Sequence, residues 1–230
     1  MQKELEEIFN IKITDETLYK KALTHPSYTQ ENNLDFLDNY ERLEFFGDSV
    51  LKLSVSEKLI KKYPNMHEGD LTKIRSILVS DATLAKITEK INLTPLIILG
   101  KHAEKAGDRS RDSIKACTFE ALLGAFYLDG KKEEITKYLN DVFDPITEDV
   151  KNNFAKYNAK ELLQEYTQGK TKELPIYKLV EEIGPAHSPS FKIEVLYQNR
   201  ILACATGKSK KEAEQKCAYE ACKKLGVINE

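Results

Sequence analysis

Residues 39–53 read NYERLEFFGDSVLKL, a stretch that places three acids among bulky apolar residues. On a helix, Glu41, Glu44 and Asp48 stand at positions i, i+3 and i+7 and therefore share a narrow arc of one face. Like charges so close repel one another unless a cation lies between them. A hard divalent cation with oxygen ligands would relieve that repulsion. The alternative is a solvated acidic stripe in which Arg42 pairs with a neighbouring acid.

Two further features bear on this choice. Gly47, beside Asp48 in mid-helix, costs roughly 1 kcal/mol relative to alanine and often marks the close approach of another backbone. Glu120 is the only acid in the apolar segment 114–128, and a buried carboxylate needs a partner or a metal. A salt bridge to Arg75 is the competing interpretation for Glu120.

The chain has 230 residues and a net charge of −2, which suits one large or two small domains. Its apolar runs are shorter than the roughly 18 residues that span a bilayer, and its first residues lack an apolar signal core. The four cysteines form no CxxC pair. Free thiols in a reducing cytoplasm are therefore the simplest expectation, with no membrane segment.

The pattern along the chain predicts two domains. Residues 1–150 show helical periodicity almost throughout, apart from a polar loop at residues 100–113, with Asp81 a candidate N-cap of one helix. Residues 151–158 are polar and aperiodic, which predicts a linker. Residues 159–228 predict α-β-β-β-α, with a first helix ending at Gly169 and a tight hairpin turn at residues 198–199. The fold class expected is an all-α N-terminal domain followed by a small α+β domain.

The stretch ERLEFFGDSVLKL resembles the signature of bacterial ribonuclease III. ALTHPSY (22–28), EGDLTKIRSILVS (68–80), RDSIKACTFEALLGAFYLDG (111–130) and the C-terminal domain match that family in order and spacing. The resemblance implies a homodimeric endonuclease specific for double-stranded RNA, dependent on Mg²⁺, that leaves 5′-phosphate and 3′-hydroxyl ends. It implies a role in processing ribosomal and other precursor RNAs, and no nucleotide cofactor.

The resemblance also assigns roles to residues. Glu44, Asp48 and Glu120 would ligate metal, and Asp48 and Glu120 would also be catalytic together with Glu41 and Glu68. The last two would position RNA, water or the dimer-built site. A further position, Phe45, matches an aromatic that packs into a socket on the partner subunit in this family; an ordinary core phenylalanine is the alternative.

Cys117 departs from the family pattern, because an aspartate ligand is expected at this metal position. A neutral thiol is a poor ligand for a hard cation. Lys115 also replaces an apolar residue. Three outcomes remain open: weak Mg²⁺ binding with water in the gap, a preference for a softer ion such as Mn²⁺, or a protein that binds double-stranded RNA without cutting it. Retention of the other acids favours catalysis.

The C-terminal domain resembles a double-stranded RNA-binding domain, which reads duplex shape through the minor groove and phosphates. The resemblance places RNA contacts in three regions. They are the first helix, a loop, and the start of the last helix: Gln164, Glu165, His187, Lys208, Ser209, Lys210 and Lys211. The lysines could instead form only a solvated helix start. A helical scaffold with an incidental acidic cluster is a third overall interpretation, but it explains neither Glu120 nor this domain.

Overall fold

The computed structural model describes residues 1–184 and 189–228, and the chain divides into two compact units, Met1–Asp149 and Val150–Glu230. The first unit is helical and the second combines helices with a three-stranded sheet. The predicted fold class is therefore confirmed.

The first unit is built from helices joined by short connections and three 3₁₀ turns. The helices are α1 (Gln2–Phe9), α2 (Glu16–Leu23), α3 (Pro26–Glu31), α4 (Glu41–Lys62), α5 (Glu68–Leu78), α6 (Asp81–Lys90), α7 (Lys101–Lys105), α8 (Asp112–Leu128) and α9 (Lys132–Asn152). The 3₁₀ turns are Phe36–Asp38, Thr94–Leu96 and Asp108–Ser110.

Helix α8 forms the centre of this unit, as its nearly continuous apolar sequence predicts. It packs against α2, α4 and α6. The ring of Phe126 on α8 lies 4.8 Å from that of Phe9 and 4.9 Å from that of Tyr19, measured between centroids. Because α8 is surrounded on several sides, the polar side chains in its middle, Cys117 and Glu120, are only partly exposed to water.

Residues 151–158, expected to be an aperiodic linker, contain helical structure. Helix α9 continues to Asn152, and the short helix α10 spans Phe154–Tyr157. The side-chain amide of Gln215 donates to the backbone carbonyls of Lys156 and Tyr157, the first at 3.1 Å. These contacts join α10 to the last helix of the second unit, and they involve residues too distant in sequence to be read from a local pattern.

The second unit has the predicted order of elements. These are α11 (Ala159–Thr171), β1 (Ile176–Ile183), β2 (Ser190–Tyr197), β3 (Arg200–Gly207) and α12 (Lys210–Lys224), with the strands antiparallel in the order β1-β2-β3. Gln198 and Asn199 form the two-residue hairpin turn, with φ of 51° and 60°. The prediction that α11 ends at Gly169 is wrong: the helix continues through this exposed glycine to Thr171, and its C-cap is Lys172, where φ is 64°.

The core of this unit lies between the two helices and one face of the sheet. Ala159, Leu163, Val195 and the buried face of α12 form it. The buried thiols of Cys217 and Cys222 on α12 donate to backbone carbonyls within this core. All four cysteines of the chain are free, as predicted. No helix within the described residues is both long and apolar enough to cross a membrane.

Candidate active site

Two glycines allow helices α4 and α8 to touch. A Cβ atom on Gly47 would lie 1.7 Å from the backbone carbonyl oxygen of Glu120, and one on Gly124 would lie 2.4 Å from that of Leu43. Real side chains cannot approach backbone so closely, so only glycine fits at either position. The expectation that Gly47 marks a close backbone approach is confirmed. This contact brings the acids of α4 to the polar positions of α8.

Cys117 on α8 meets Glu44 on α4. Its thiol donates a hydrogen bond to the Glu44 carboxylate and accepts one from the Tyr40 hydroxyl. Burial, together with the negative charge of Glu44, raises the pKa of the Cys117 thiol far above its usual range. The thiol is therefore protonated at neutral pH and engaged by its neighbours.

Glu44 itself is half-buried. Burial raises the pKa of the Glu44 carboxyl, and the charges of Glu41, Asp48 and Asp81 act in the same direction, while the Cys117 hydrogen bond opposes them. The cause is the one expected from the sequence, like charges on one helix face in a partly dry environment. A cation placed among these groups would be strongly favoured.

The pKa of the Glu120 carboxyl is raised by the same causes. Burial, and then the charges of Asp48 and Glu44, raise the pKa of its carboxyl to about 8, with a small opposing effect from Lys52. The alternative salt bridge to Arg75 is not formed, since the Arg75 guanidinium donates to the Ser56 hydroxyl at 2.9 Å. Within residues 1–184 and 189–228, the Glu120 side chain has no hydrogen-bond or ion-pair partner.

The acid cluster, defined as Glu41, Glu44, Asp48 and Glu120, is not arranged as a ready-made metal site. In the parts of the chain that the structure describes, no three His, Cys, Asp or Glu side chains are placed to hold an ion. Two of the acids have partners within the chain. The Lys52 ammonium lies 2.8 Å from an Asp48 oxygen, and Glu44 is engaged by Cys117.

The two remaining predicted acids lie at the edge of this arrangement or outside it. Glu41 is exposed at the first turn of α4, and its charge contributes to the raised pKa of Glu44. Glu68 is exposed at the first residue of α5, where its carboxylate accepts a hydrogen bond from Thr72 at 2.8 Å. Glu41 thus contributes to the charge of the acid cluster, whereas the described contact of Glu68 is with Thr72 on its own helix.

Phe45 points away from the core, with 80% of its surface exposed. The alternative that it is an ordinary core residue is therefore wrong. Its neighbour Phe46 packs inward, edge-on against Tyr127 with 5.3 Å between ring centroids. A groove beside Phe45 is lined mainly by apolar side chains, among them those of Leu18, Leu43 and Leu128. An exposed aromatic beside an apolar groove is typical of a surface that binds another protein.

Lys115, the second departure from the family pattern, is buried and pairs with Glu89 on α6. The hydroxyl of Thr88 also donates to the Lys115 backbone carbonyl at 3.2 Å. These contacts give the lysine a charged partner that local sequence could not reveal. They also fasten the C-terminal half of α6 to α8.

Asp81 was expected to cap α6, but the structure places Ser80 at the N-cap position and makes Asp81 the first helical residue. Its charge acts on Glu44, Cys117 and Glu120. Sequence reasoning missed Asp81 as a member of this environment. Its proximity depends on how α6 packs, for which no local signal exists.

The predicted RNA-binding residues of the second unit lie on its surface. Gln164 and Glu165 are exposed on α11, and exposed side chains also surround the start of α12: Lys208, Ser209, Lys210 and Lys211. His187 lies outside the described residues.

Ser209 has a structural task as well. Its hydroxyl accepts from the backbone N–H of Glu212 at 3.2 Å, while the Glu212 carboxylate accepts from the Lys208 N–H at 2.8 Å. This reciprocal pair resembles a capping box, which the spacing Ser-x-x-Glu could have predicted. It fixes the lysine-rich turn at the helix start, where backbone N–H groups and the dipole favour an anion.

A carboxylate cluster between two touching helices, followed by an α-β-β-β-α unit with a basic helix start, defines a nuclease joined to an RNA-binding domain. Residues 15–145 match the family model described as Ribonuclease-III-like, and residues 159–225 match that of the double-stranded RNA binding motif. The chain belongs to the ribonuclease III family.

Relatives of known name agree over nearly the whole length. The chain is 45% identical over 222 residues to Ribonuclease 3 of Streptococcus uberis, covering 96% of each protein. It is 42% identical over 224 residues to Ribonuclease 3 of Caldanaerobacter subterraneus subsp. tengcongensis, covering 97% of this chain and 98% of that one. Among solved structures, the nuclease domain of the Campylobacter jejuni enzyme matches 63% of this chain and 97% of its own, with a TM-score of 0.58 and 33% identity.

Proposed function

We propose that this protein is a divalent-metal-dependent endoribonuclease that hydrolyses double-stranded RNA, giving 5′-phosphate and 3′-hydroxyl ends, in the processing and decay of ribosomal and other RNAs. The observation that carries the proposal is the placement of Glu44, Asp48 and Glu120 at the glycine contact between α4 and α8. Their mutual repulsion has no structural benefit, and a bound cation would remove it. Family membership supports the reaction and the substrate.

The carboxylates of the site fit Mg²⁺, and the Cys117 thiol is the exception. Glu44, Asp48 and Glu120 offer the carboxylate oxygens that this ion prefers. Cys117 does not add to them, because its raised pKa keeps the thiol protonated. Mn²⁺ is a softer ion than Mg²⁺ and accepts nitrogen and sulfur ligands more readily. It is therefore the expected substitute. A bound ion would supply Lewis acidity toward the scissile phosphate and the attacking water.

The side chains have separate tasks in this proposal. Glu44 and Asp48 would hold the ion from α4, at the position where the Lys52 ammonium now lies 2.8 Å from an Asp48 oxygen. Glu120 would be the third carboxylate ligand, from α8, and burial together with the neighbouring acids raises the pKa of its carboxyl to about 8. Glu41, which is exposed, would orient RNA or water at the edge of the cluster. Glu68 would join from a different surface of the assembled enzyme.

The alternative, a double-stranded RNA-binding protein without activity, gains no support from the relatives, which are named Ribonuclease 3. Nor does the cluster favour it. Cys117 changes a single position, while four carboxylates and both contact glycines remain. The proposal is therefore an enzyme with an altered metal site rather than a decayed one.

Duplex RNA would bind the second unit through Gln164 and Glu165 on α11 and the lysines at the start of α12. Lys208, Lys210 and Lys211 are exposed and carry charge at a helix N-terminus, where the dipole disfavours it. A phosphate backbone would neutralise them and accept from the capped helix start. His187 is proposed to reach the minor groove from the β1–β2 loop.

The proposed assembly is a homodimer. In it, Phe45 of each subunit enters the apolar groove of the other subunit, next to that subunit's Phe45. The related Campylobacter jejuni structure is described as flexible in the region involved in dimer formation of its nuclease domain. The location proposed is the cytoplasm, in keeping with four free thiols.

The function is tested with the full chain and a long RNA duplex. Cleavage is measured with Mg²⁺, with Mn²⁺ and with a chelator, and product ends are identified by ligation and by phosphatase sensitivity. Glu120→Gln removes the charge while keeping the shape, and it should abolish cleavage while duplex affinity stays within about twofold. Absence of cutting with either ion, with duplex binding intact, would leave only the binding function.

A further inference from the structure

Helices of the second unit pack on one face of its three-stranded sheet, and the other face carries side chains that point away from them. On β2, Ile193 and Val195 are buried, the latter in the core formed with the helices. Because successive residues of a strand point to opposite sides, the residues next to these two lie on the other side of the sheet. We call this side the outer sheet face. It consists of alternate residues of β2 and their paired neighbours on β1 and β3: Ile176, Lys178, Glu181, Ile183, Ser190, Lys192, Glu194, Leu196, Ile201, Cys204 and Thr206.

One end of the outer sheet face is apolar. Ile176 on β1 pairs with Leu196 on β2, which pairs in turn with Ile201 on β3. Side chains of directly paired residues lie about 5 Å apart, so these three form a continuous row across the sheet. Ile176 and Ile201 are each more than half exposed. Adjoining apolar side chains in contact with water, unlike single ones, are typical of a surface that meets another protein.

Four charges of alternating sign follow this row. Lys178 on β1 is paired with Glu194 on β2, and Glu181 on β1 is paired with Lys192 on β2. Each lysine therefore has an acid beside it on the neighbouring strand and another along its own strand. Within residues 1–184 and 189–228, none of these four side chains forms an ion pair. Their charges are balanced as a group but are not paired within the chain.

This alternation makes the outer sheet face complementary to a second copy of itself. A two-fold axis parallel to the strands, between β1 and β2, exchanges the positions of the two strands in two sheets packed face to face. Lys178 then faces Glu194 of the second copy, and Glu181 faces Lys192 of the second copy. An axis running along β2 would instead place Lys192 opposite itself, which like charge disfavours.

We propose that the outer sheet face is an interaction surface for a second copy of this chain, with the two sheets packed face to face about the axis between β1 and β2. The apolar rows meet in the same arrangement, because the axis places Ile176 opposite Leu196 of the second copy. A contact limited to one face of a three-stranded sheet is smaller than a standard interface. The association is therefore weak, with a dissociation constant on the order of 100 μM.

This contact is compatible with RNA binding. The proposed RNA contacts of the second unit on α11 and at the start of α12 belong to helices that pack on the other side of the sheet. The outer sheet face would therefore stay accessible when a duplex is bound. Copies crowded on one long duplex would meet at high local concentration, where a weak contact is populated.

Sedimentation equilibrium of the full chain, without RNA, measures the contact. A Phe45→Ala background removes the proposed association of the first units, so the remaining self-association reports on the outer sheet face. Ile176→Lys places a charge in the apolar row and should raise the dissociation constant at least tenfold. Leu179→Lys is the matched control on the same strand, since Leu179 is also exposed but pairs with the buried Ile193 and so lies on the other side. It should change the constant less than twofold.

Charge reversal tests the complementarity itself. Lys178→Glu with Lys192→Glu makes all four charges negative, and Glu181→Lys with Glu194→Lys makes all four positive. Each variant alone should associate at least tenfold more weakly than the native face. An equimolar mixture of the two should recover the native constant to within about threefold. A purely structural role of these residues within their own sheet would give no recovery on mixing.

Absence of self-association in the Phe45→Ala background at about 1 mM, or equal effects of Ile176→Lys and Leu179→Lys, would overturn the proposal. Association that appears only with duplex RNA would also overturn it, because the RNA would then bridge the copies. At about 1 μM, where copies are separate, Lys178 should be acetylated as fast as the exposed Lys172. Protection of Lys178 there would show that another part of the same chain covers the face, against the proposal.

Discussion

The backbone of Gly47 lies against the carbonyl of Glu120, and a methyl group at Gly47 would sit 1.7 Å from that oxygen. This contact joins the two helices that carry the acid cluster. It also explains why a residue that disfavours helices stands in the middle of α4. The cost of the glycine within the helix is offset by the approach it allows.

Gly47→Ala should therefore push α4 away from α8. Overpacking of this kind costs about 1–3 kcal/mol in free energy of unfolding and displaces Glu44 and Asp48 relative to Glu120. We expect a lower urea midpoint and at least a tenfold loss of cleavage rate. Gly69→Ala is the control for stability, since nothing lies within 4 Å of a Cβ there, and it should raise the midpoint slightly. Equal effects of both substitutions would contradict the contact.

The stability of the metal-free protein should fall as pH rises from about 4.5 to 8. The carboxyl of Glu120 has a pKa raised from 4.5 to about 8, so the folded state binds a proton that the unfolded state has lost. Unfolding free energy then decreases with pH across that window, by at most about 1.4 kcal/mol per unit for one proton. Below 4.5 this contribution is fully present, and above 8 it is lost.

The measurement is urea unfolding in chelator at intervals between pH 4.5 and 9, followed by circular dichroism. Glu120→Gln should flatten the downward slope and stabilise the metal-free protein at pH 9. Glu57→Gln is the control, because the hydrogen bond with Lys61 lowers the pKa of Glu57 and its titration lies below this window. A slope that Glu120→Gln leaves unchanged would show that other groups cause it.

Local patterns predicted the parts of the fold that depend on neighbouring residues. The helical arc of Glu41, Glu44 and Asp48, the approach at Gly47 and the turn at Gln198 all follow from short-range rules. The pairing of Lys115 with Glu89 and the position of Asp81 depend on how α6 packs on α8, so no local rule could supply them. The end of α11 was misplaced because an exposed Gly169 is tolerated within a helix.

Phe45→Ala should weaken self-association without unfolding the subunit. Phe45 is 80% exposed, so its removal leaves no cavity in the core, whereas a partner subunit would lose an aromatic anchor. We expect sedimentation to show a dimer dissociation constant at least tenfold higher, with circular dichroism unchanged. Leu174→Ala is a control for the loss of an exposed apolar side chain, since Leu174 is 54% exposed in the other unit. A monomeric native chain would refute the proposed assembly.

Duplex binding should depend on salt through the lysines that start α12. Changing Lys208, Lys210 and Lys211 together to glutamine should reduce the slope of log affinity against log salt by roughly 2–3, because each phosphate that a lysine neutralises adds about 0.7–0.9 to that slope. Lys223→Gln with Lys224→Gln removes charge from the far end of the same helix, about 20 Å away, and should alter the slope little. Equal slopes for the two variants would place the RNA on another surface.

Cys117→Asp tests whether the thiol limits the metal site. In the native chain the Cys117 thiol stays protonated, because burial and the charge of Glu44 raise its pKa, and it occupies a Glu44 oxygen. A carboxylate at this position would add an oxygen donor and release Glu44, so the Mg²⁺ concentration needed for half-maximal cleavage should fall about tenfold. Cys117→Ser is the control, because it removes sulfur without adding charge, and it should shift that concentration less than threefold.

Without Mg²⁺ the extra acid should instead lower stability, since it adds a fifth carboxylate to a field that already raises the pKa of Glu120 to about 8. Gain of metal affinity together with loss of metal-free stability is the signature expected of a ligand position, and a change in only one of the two would argue that residue 117 does not face the ion.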